Sequence, residues 1–257
     1  MNKKVKQSLK DYPREMIGYG QDSINPMWPN DSRIAVQFVL NYEEGGENSI
    51  LHGDDASETF LSEIIGAKAY VGSRHMSMES IYEYGSRAGV WRILRLFKEF
   101  NIPITIFAVG LAIARNRELA DYLVEHNYDI CAHGFRWIDY QFVEEEIERD
   151  HIKDCISILT EFLGKRPEGW YTGRNSPNTR KLIIEEGGFL YDSDAYDDDL
   201  PYWANEFDTD KKHLIIPYTL DVNDMRFASP QGFNSGDQFF NYLKDSFDTL
   251  YQEGETS

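Results

Sequence analysis

Short apolar runs alternate along the chain with longer segments in which apolar residues recur every three or four positions. The short runs predict strands at residues 34–42, 104–109, 128–133, 169–171, 189–192 and 214–220. The periodic segments predict helices at residues 79–100, 118–126, 143–163, 179–186 and 236–252. In the last helix we expect Phe240, Leu243, Phe247 and Leu250 to face inward. Strands that alternate with helices predict an α/β fold with a parallel sheet.

Polar residues follow nearly every predicted strand at its carboxyl end. They are Asn41, Glu43 and Glu44 after the first, His133, Arg136 and Trp137 after the third, Thr172 and Arg174 after the fourth, Asp192 and Asp194 after the fifth, and Asp221, Asn223 and Asp224 after the sixth. A β/α barrel opens all these ends on one face, which holds its active site. A doubly wound sheet gathers only the ends at its switch point. The pattern therefore favours a barrel.

Two long stretches interrupt the alternation, at residues 44–78 and 193–213, and long insertions in a domain are usually lids or binding loops. The 257 residues, 41% of them hydrophobic, suffice for a core without disulfide staples. We expect one catalytic domain over residues 1–257, with residues 44–78 as a lid-like insertion.

The net charge and the cysteine content limit the classes of partner and the cellular compartment that we expect. The net charge of −18 argues against nucleic acid and membranes as partners, because an acidic surface repels phosphate groups. Two cysteines, Cys131 and Cys155, without a C-x-x-C spacing are typical of a reducing compartment. The lysine-rich residues 1–18 lack the apolar run of a secretory signal, and no stretch approaches the ~20 apolar residues of a membrane span. We expect a soluble cytoplasmic protein.

Glu43, Glu44 and His133 are the candidate catalytic residues. A carboxylate at a strand end can act as a general base if burial raises its pKa. Neighbouring side chains point to opposite faces of a strand, so only one of the two acids faces the barrel mouth, and the sequence leaves open which. An imidazole at a strand end can move a proton, hold a substrate carbonyl or bind a metal. A solvated acidic loop and a buried histidine bonded to backbone are the structural alternatives.

Arg174 suits a carboxylate or an oxyanion that forms during acyl transfer, although a salt bridge to Asp192 or Asp194 would explain it equally well. Arg136 is a similar, weaker candidate.

The remaining motifs add little chemistry. We expect His126, His151 and His213 at the surface, and we leave His52 and His75 of the insertion undecided between ligand contact and structure. The acidic run at residues 192–199 lacks the spacing of a calcium loop. The sequence contains no glycine-rich phosphate loop, no serine nucleophile elbow and no H-E-x-x-H zinc helix.

Several longer motifs, in order, resemble the polysaccharide deacetylase family. They are residues 38–46 (FVLNYEEGG), 133–137 (HGFRW) and 174–177 (RNSP). Residues 75–80 (HMSMES) and 192–203 (DSDAYDDDLPYW) fit a branch of allantoinases that share the deacetylase fold. The similarity runs from about Tyr12 to the last residues.

The resemblance implies a distorted β/α barrel with fewer than eight strands. Typical members carry two adjacent aspartates, one of which acts as a base while the other holds a zinc ion together with a His-x-x-x-His pair. Here the aspartates are Glu43 and Glu44, and Trp137 replaces the second histidine, so we expect no metal cofactor, in agreement with the allantoinase branch; a divalent ion such as zinc is the weaker alternative. The resemblance makes Glu43 or Glu44 the base, with His133 as a catalytic partner.

The resemblance also makes His133 a substrate or proton contact and Arg174 a substrate or oxyanion contact, and it implies a reaction. From this resemblance and from the polar residues at strand ends and in the insertion, the residues that we expect to contact the substrate are Asn41, His75, Arg136, Trp137, Arg174 and Asp192. The expected reaction is hydrolysis of the ring amide of allantoin to allantoate in purine breakdown, with a small ureide as the partner and a homotetramer as the assembly. The family also supplies a histidine on a last strand, and this chain ends after a helix, so we expect a barrel that lacks its last strand or strands.

Two other functions stay open at this point. The first is a metal-dependent N-deacetylase of amino-sugar polysaccharides such as chitin or peptidoglycan. The second is a binding protein that is inactive because of the missing strand.

Overall fold

Residues 12–204 and 212–254 are described by the computed structural model of the protein. They fall into two units, one from residues 12–35 with residues 243–254, and the other from residues 36–242. In the first unit, Arg33 donates hydrogen bonds from Nε and Nη2 to the carbonyl oxygens of Tyr251 and Gln252, both at 2.9 Å. The second unit carries the sheet and all the candidate site residues.

A seven-stranded sheet organises the second unit. Its strands are β1 (Val39–Tyr42), β2 (Thr105–Ala108), β3 (Asp129–Ala132), β4 (Gly169–Trp170), β5 (Tyr191–Asp192), β6 (Tyr202–Trp203) and β7 (Leu214–Ile215). The spatial order is β1-β2-β3-β4-β5-β7-β6, and every pair is parallel except β6 with β7. Strands that stay adjacent in chain order are typical of a β/α barrel wall, whereas a doubly wound sheet reverses its order. Within the described residues the sheet remains open, with β1 and β6 at its edges.

Helices follow the strands as the alternation predicts. They are α1 (Met76–Tyr84), α2 (Val90–Phe100), α3 (Gly110–Arg115), α4 (Arg117–Glu125), α5 (Glu145–Leu163), α6 (Thr179–Glu186) and α7 (Gly236–Glu253). The predicted helix at residues 79–100 is two helices joined by a π-helical turn at Gly85–Gly89. Gly164 ends α5 in the left-handed conformation, as expected. Helix α3 was not predicted, because its apolar residues continue the run of β2.

Each strand divides its side chains between two apolar layers. Ile106, Ala108, Ala132 and Trp170 lie in the large cluster under the helices. A smaller cluster on the other face consists of Phe107, Cys131 and Tyr171, with Val39, Tyr191 and Tyr218 packed against it. This second cluster fills the concave interior of the sheet, so it defines which side chains point toward the mouth of the barrel.

Four details of the predicted elements are wrong, and one is the strand at residues 214–220, of which only Leu214–Ile215 forms a strand. The first strand begins only at Val39, and Val36 and Phe38 before it are 55% and 42% exposed. The last helix does not bury its apolar stripe, since Phe240 is 63% and Phe247 42% exposed. The acidic insertion contains strand β6, which was not predicted because the sequence around it is polar. No helix in the described part of the chain combines the length and apolar character that crossing a membrane requires.

Substitution of Gly169 by Ala tests the packing of the interior layer. A Cβ atom at this position would overlap the Tyr191 ring, so we expect the G169A variant to lose about 1–3 kcal/mol of unfolding free energy. Chemical denaturation measures this loss. In the control G236A no atom lies within 4 Å of the added methyl group, so its stability should stay close to that of the unchanged protein. A second change, Tyr191→Leu, should recover part of the loss; failure to do so would contradict the packing argument.

Candidate active site

The register of β1 decides which of the two adjacent acids enters the barrel. Val39 packs on the interior cluster, and Leu40 and Tyr42 belong to the cluster under the helices. Side chains alternate along a strand, so Asn41 and Glu43 follow Val39 to the interior, while Glu44 follows Tyr42 outward. The contacts of the two acids agree with this assignment.

Glu43 and His133 form the central pair of the site. Glu43 Oε1 lies 2.9 Å from His133 Nε2, and the two side chains are 20% and 1% exposed. His133 Nδ1 lies 3.0 Å from the carbonyl oxygen of Tyr171. A backbone carbonyl can only accept a hydrogen bond, so Nδ1 carries a proton.

This tautomer leaves a single proton to be shared between His133 Nε2 and Glu43 Oε1. Either the imidazole is charged and the carboxylate accepts, or the imidazole is neutral and a protonated Glu43 donates. Both states hold the two groups together, and the proton can pass from one atom to the other without movement of the heavy atoms. A carboxylate held in this way is suited to general acid–base chemistry.

Glu44 lies outside the barrel, against the helical layer. Its Oε2 accepts a hydrogen bond from the backbone N–H of Glu43 at 3.0 Å, and its Oε1 approaches Gly85, where a Cβ atom would collide with it. Burial, with a smaller contribution from the nearby charge of Glu43, raises the pKa of Glu44 to about 7 against the hydrogen bonds to the backbone. Of the two predicted catalytic acids, the structure therefore brings only Glu43 to His133.

Two further acids, which we did not predict as site residues, lie near this pair. Asp194 accepts hydrogen bonds from the backbone N–H groups of Thr172 (2.9 Å) and Gly173 (2.7 Å). Burial raises the pKa of Asp194 to about 6, while the proximity of His133 lowers it. Burial also raises the pKa of Asp224, and the charge of Glu43 adds to this effect. Both acids follow predicted strands, so their positions in the sequence did carry a signal.

Arg174 and Trp137 stack on one another. The guanidinium carbon lies 3.7 Å from the centre of the indole ring, a close cation–π contact. Rings of Phe60 and Tyr82 pack around the same indole at 5.8 Å and 6.1 Å between centroids. Arg174 Nη1 lies 3.6 Å from Glu58 Oε2, longer than a hydrogen bond, and its side chain is 28% exposed. The neighbouring acid is thus Glu58 of the insertion, not Asp192 or Asp194.

Arg136 holds the insertion in place. Its Nη1 and Nη2 donate to Asp54 at 2.8 Å and 2.5 Å, and Nη2 also donates to the Glu47 carbonyl oxygen at 3.1 Å. The side chain is 8% exposed, and a bidentate pair of this kind is geometrically specific. The structure thus gives this predicted substrate contact a structural partner within residues 44–78.

Two other predicted substrate contacts also have protein partners. Asp192 is fully buried and accepts hydrogen bonds from Arg180 Nε at 3.0 Å and His213 Nε2 at 2.8 Å. Burial raises its pKa, but these bonds outweigh burial and leave the pKa of Asp192 below its usual range. His213, expected at the surface, is only 3% exposed, which makes that prediction wrong. His75 caps α1 by accepting from the Met78 N–H and stacks on Tyr70.

The zinc set of the resembled family does not fit these residues. The indole of Trp137 has no lone pair to offer at the position of the second histidine. The other ligands would be His133 and one of the paired acids, but both ring nitrogens of His133 have protein partners and Glu44 points away. Among residues 12–204 and 212–254, no three His, Cys, Asp or Glu side chains are grouped as a metal site.

Comparison with known proteins agrees with this architecture. The family model described as polysaccharide deacetylase matches residues 74–186. A Schizosaccharomyces pombe protein provisionally named a polysaccharide deacetylase is 44% identical over 246 residues, which cover 90% of this chain and 76% of the relative. The chain belongs to the polysaccharide deacetylase family. It is therefore a hydrolase, and the members it resembles act on carbon–nitrogen bonds.

Two solved structures of the family superpose closely on the chain. A crystal structure of PuuE allantoinase is 63% identical with a TM-score of 0.92, covering 95% of this chain and 81% of that one. A crystal structure from Pseudomonas aeruginosa PAO1, provisionally named a polysaccharide deacetylase, is 62% identical with a TM-score of 0.92, covering 96% and 82%. These matches confirm the predicted α/β fold of the deacetylase type.

The raised pKa of the half-buried Glu44 predicts a pH-dependent stability. The folded protein binds this proton more tightly than the unfolded chain, so the stability that the group contributes is complete below pH 4.5 and is lost as the pH rises through about 7. The loss amounts to at most roughly 3 kcal/mol. Glu44→Gln mimics the protonated acid, so we expect the variant to gain stability relative to the unchanged protein between pH 5 and 8.

Urea denaturation at several pH values measures this difference. The control variant Glu99→Gln replaces an exposed carboxylate of α2 and should follow the curve of the unchanged protein. If E44Q shows the same pH dependence as the unchanged protein, the raised pKa of Glu44 is refuted.

Proposed function

We propose that the protein is a metal-independent hydrolase of a cyclic amide, with allantoin as its substrate and allantoate as its product. The observation that carries the proposal is the Glu43–His133 pair, whose tautomer is fixed by the Tyr171 carbonyl group. The 63% identity to PuuE allantoinase supports the choice of substrate.

In this mechanism the carboxylate of Glu43 accepts a proton from a water molecule, whose oxygen forms a bond to the ring carbonyl carbon. Imidazolium at His133 stabilises the carboxylate and keeps it oriented. When the tetrahedral intermediate collapses, the ring C–N bond breaks and a proton passes from the pair to the leaving nitrogen. The products are a carboxylate and a ureido group, and one proton is released to solvent.

Arg174 is the residue that we assign to the developing oxyanion. The indole of Trp137 supports one face of the guanidinium, and its nearest carboxylate, Glu58, lies beyond hydrogen-bond distance at 3.6 Å. Its edge therefore remains able to donate to a negative oxygen, the type of electrostatic stabilisation that accelerates acyl transfer. A fixed cation at this place removes the need for a metal ion to polarise the carbonyl group.

An N-deacetylase of an amino-sugar substrate is the second candidate. The names of the S. pombe relative and of the P. aeruginosa structure favour it. The same pair can activate water against an acetamide carbonyl, because both substrates are amides. The two functions differ in the expected metal requirement and in the substrate turned over.

Allantoate formation from allantoin in excess EDTA tests the first proposal. We expect turnover to persist in EDTA and the Glu43→Gln variant to lose at least about 100-fold in kcat, since it removes the base. The matched control is Glu44→Gln, which makes the same chemical change one residue away, outside the barrel, and should retain most of the turnover.

Three outcomes would contradict the proposal. If E44Q rather than E43Q abolishes turnover, the assignment of the base is wrong. Activity that EDTA removes and zinc restores would contradict the metal-independent mechanism. Release of acetate from N-acetylglucosamine oligomers without turnover of allantoin would favour the deacetylase.

A further inference from the structure

The side chain of Asn41 carries a buried acceptor that the protein leaves unused. Asn41 lies on β1 between Val39 and Glu43, all on the interior face. Its Oδ1 atom is buried and has no hydrogen-bond partner among the described residues. Most buried polar side-chain atoms do have a partner, so this exception calls for an explanation.

An aromatic side chain, Tyr218, borders Asn41 on one side. The Tyr218 hydroxyl group beside it accepts a hydrogen bond from Asn223 Nδ2 at 2.8 Å, and a further hydrogen bond with the Asn41 side chain lowers the pKa of Tyr218, against the larger effect of burial. Tyr218 in turn stacks on Tyr171 with 4.9 Å between ring centroids. The hydrogen bond that lowers the Tyr218 pKa is one that the Asn41 amide N–H donates, so it leaves Oδ1 unpaired.

The position of this acceptor relative to Glu43 points to a substrate contact. Residues two apart on a strand are separated by roughly 6.6 Å and present their side chains in the same direction. A five-membered ring whose carbonyl carbon is attacked at Glu43 can bridge this distance with one of its N–H groups. An unpaired buried acceptor carries an energetic cost, and a donor on the ligand removes that cost when it binds.

We infer that Asn41 Oδ1 accepts a hydrogen bond from a ring N–H group of the substrate, which makes Asn41 a specificity-determining residue that favours cyclic amides with a free N–H over N-alkylated ones. This inference rests on the proposed function, because it takes the cyclic amide as the substrate. When a substrate lacks the N–H group, the buried Asn41 Oδ1 stays unpaired in the complex. The energetic cost of that unpaired acceptor is what disfavours the N-alkylated substrate.

The test compares allantoin with analogues methylated singly at each ring nitrogen, using kcat/KM for the unchanged protein and for Asn41→Leu. We expect N41L, which has a similar shape but no acceptor, to lose roughly tenfold in kcat/KM for allantoin. For the analogue methylated at the contacted nitrogen, N41L and the unchanged protein should differ by less than about twofold. Asn41→Asp retains the acceptor oxygens and should keep the preference for the free N–H, even if its overall rate falls.

Asn223→Leu is the matched control, since it also removes an asparagine amide next to Tyr218 but no unpaired acceptor. It should change the rates for allantoin and the methylated analogues by the same factor. If N41L lowers all substrates equally, Asn41 has only a structural role and the inference is overturned.

A binding measurement separates this inference from the proposed function. Calorimetric titration with hydantoin and its N-methyl derivatives requires no turnover. If the unchanged protein hydrolyses no allantoin yet binds hydantoin with a preference that N41L loses, the acceptor role stands and the proposed reaction falls. If allantoin is hydrolysed but N41L retains the full preference for free N–H in binding and in turnover, the inference falls alone. Absence of both turnover and hydantoin binding overturns both.

Discussion

The hydrogen bond from His133 Nδ1 to the Tyr171 carbonyl oxygen is the constraint on which the site depends. It is built into the sheet, because the backbone N–H of Tyr171 donates to Ala132, the residue before His133, at 2.9 Å. The pairing of β3 with β4 thus sets both ends of the bond. With Nδ1 committed as a donor, Nε2 and Glu43 have a single proton between them, and the chemistry of the pair follows from the backbone geometry.

The loop after β4 also organises the charge around the imidazole. Its first residue accepts from His133 through a carbonyl group, and the next two, Thr172 and Gly173, donate their N–H groups to Asp194. Burial raises the pKa values of Asp194 and Asp224, which reflects the cost of placing several acids together away from water. The nearby His133 lowers the pKa of Asp194 and so offsets part of the effect of burial.

Local rules predicted much of this arrangement from the sequence. The order of strands and helices follows from apolar periodicity, and the alternation rule correctly implied that only one of two adjacent acids enters the barrel. Which acid enters depends on the packing of Val39 and Tyr42, a tertiary fact that β1 alone does not encode. The pairing between Asp192 and His213 was missed for a similar reason. A Lys-Lys-His run is typical of an exposed segment, but His213 directly precedes β7 and is buried against Asp192.

Trp137 illustrates how one replacement can change the chemistry of a shared scaffold. A histidine at this position would offer a metal a lone pair, whereas the indole offers a flat, electron-rich face. Arg174 occupies that face, with its guanidinium carbon 3.7 Å from the ring centre. In the mechanism we propose, this guanidinium supplies the positive charge near the carbonyl group that the water attacks. Phe60 and Tyr82 pack against the indole ring of Trp137 and fix its plane. The guanidinium stacked on that ring therefore keeps one orientation, which the stabilisation of an oxyanion requires in the mechanism we propose.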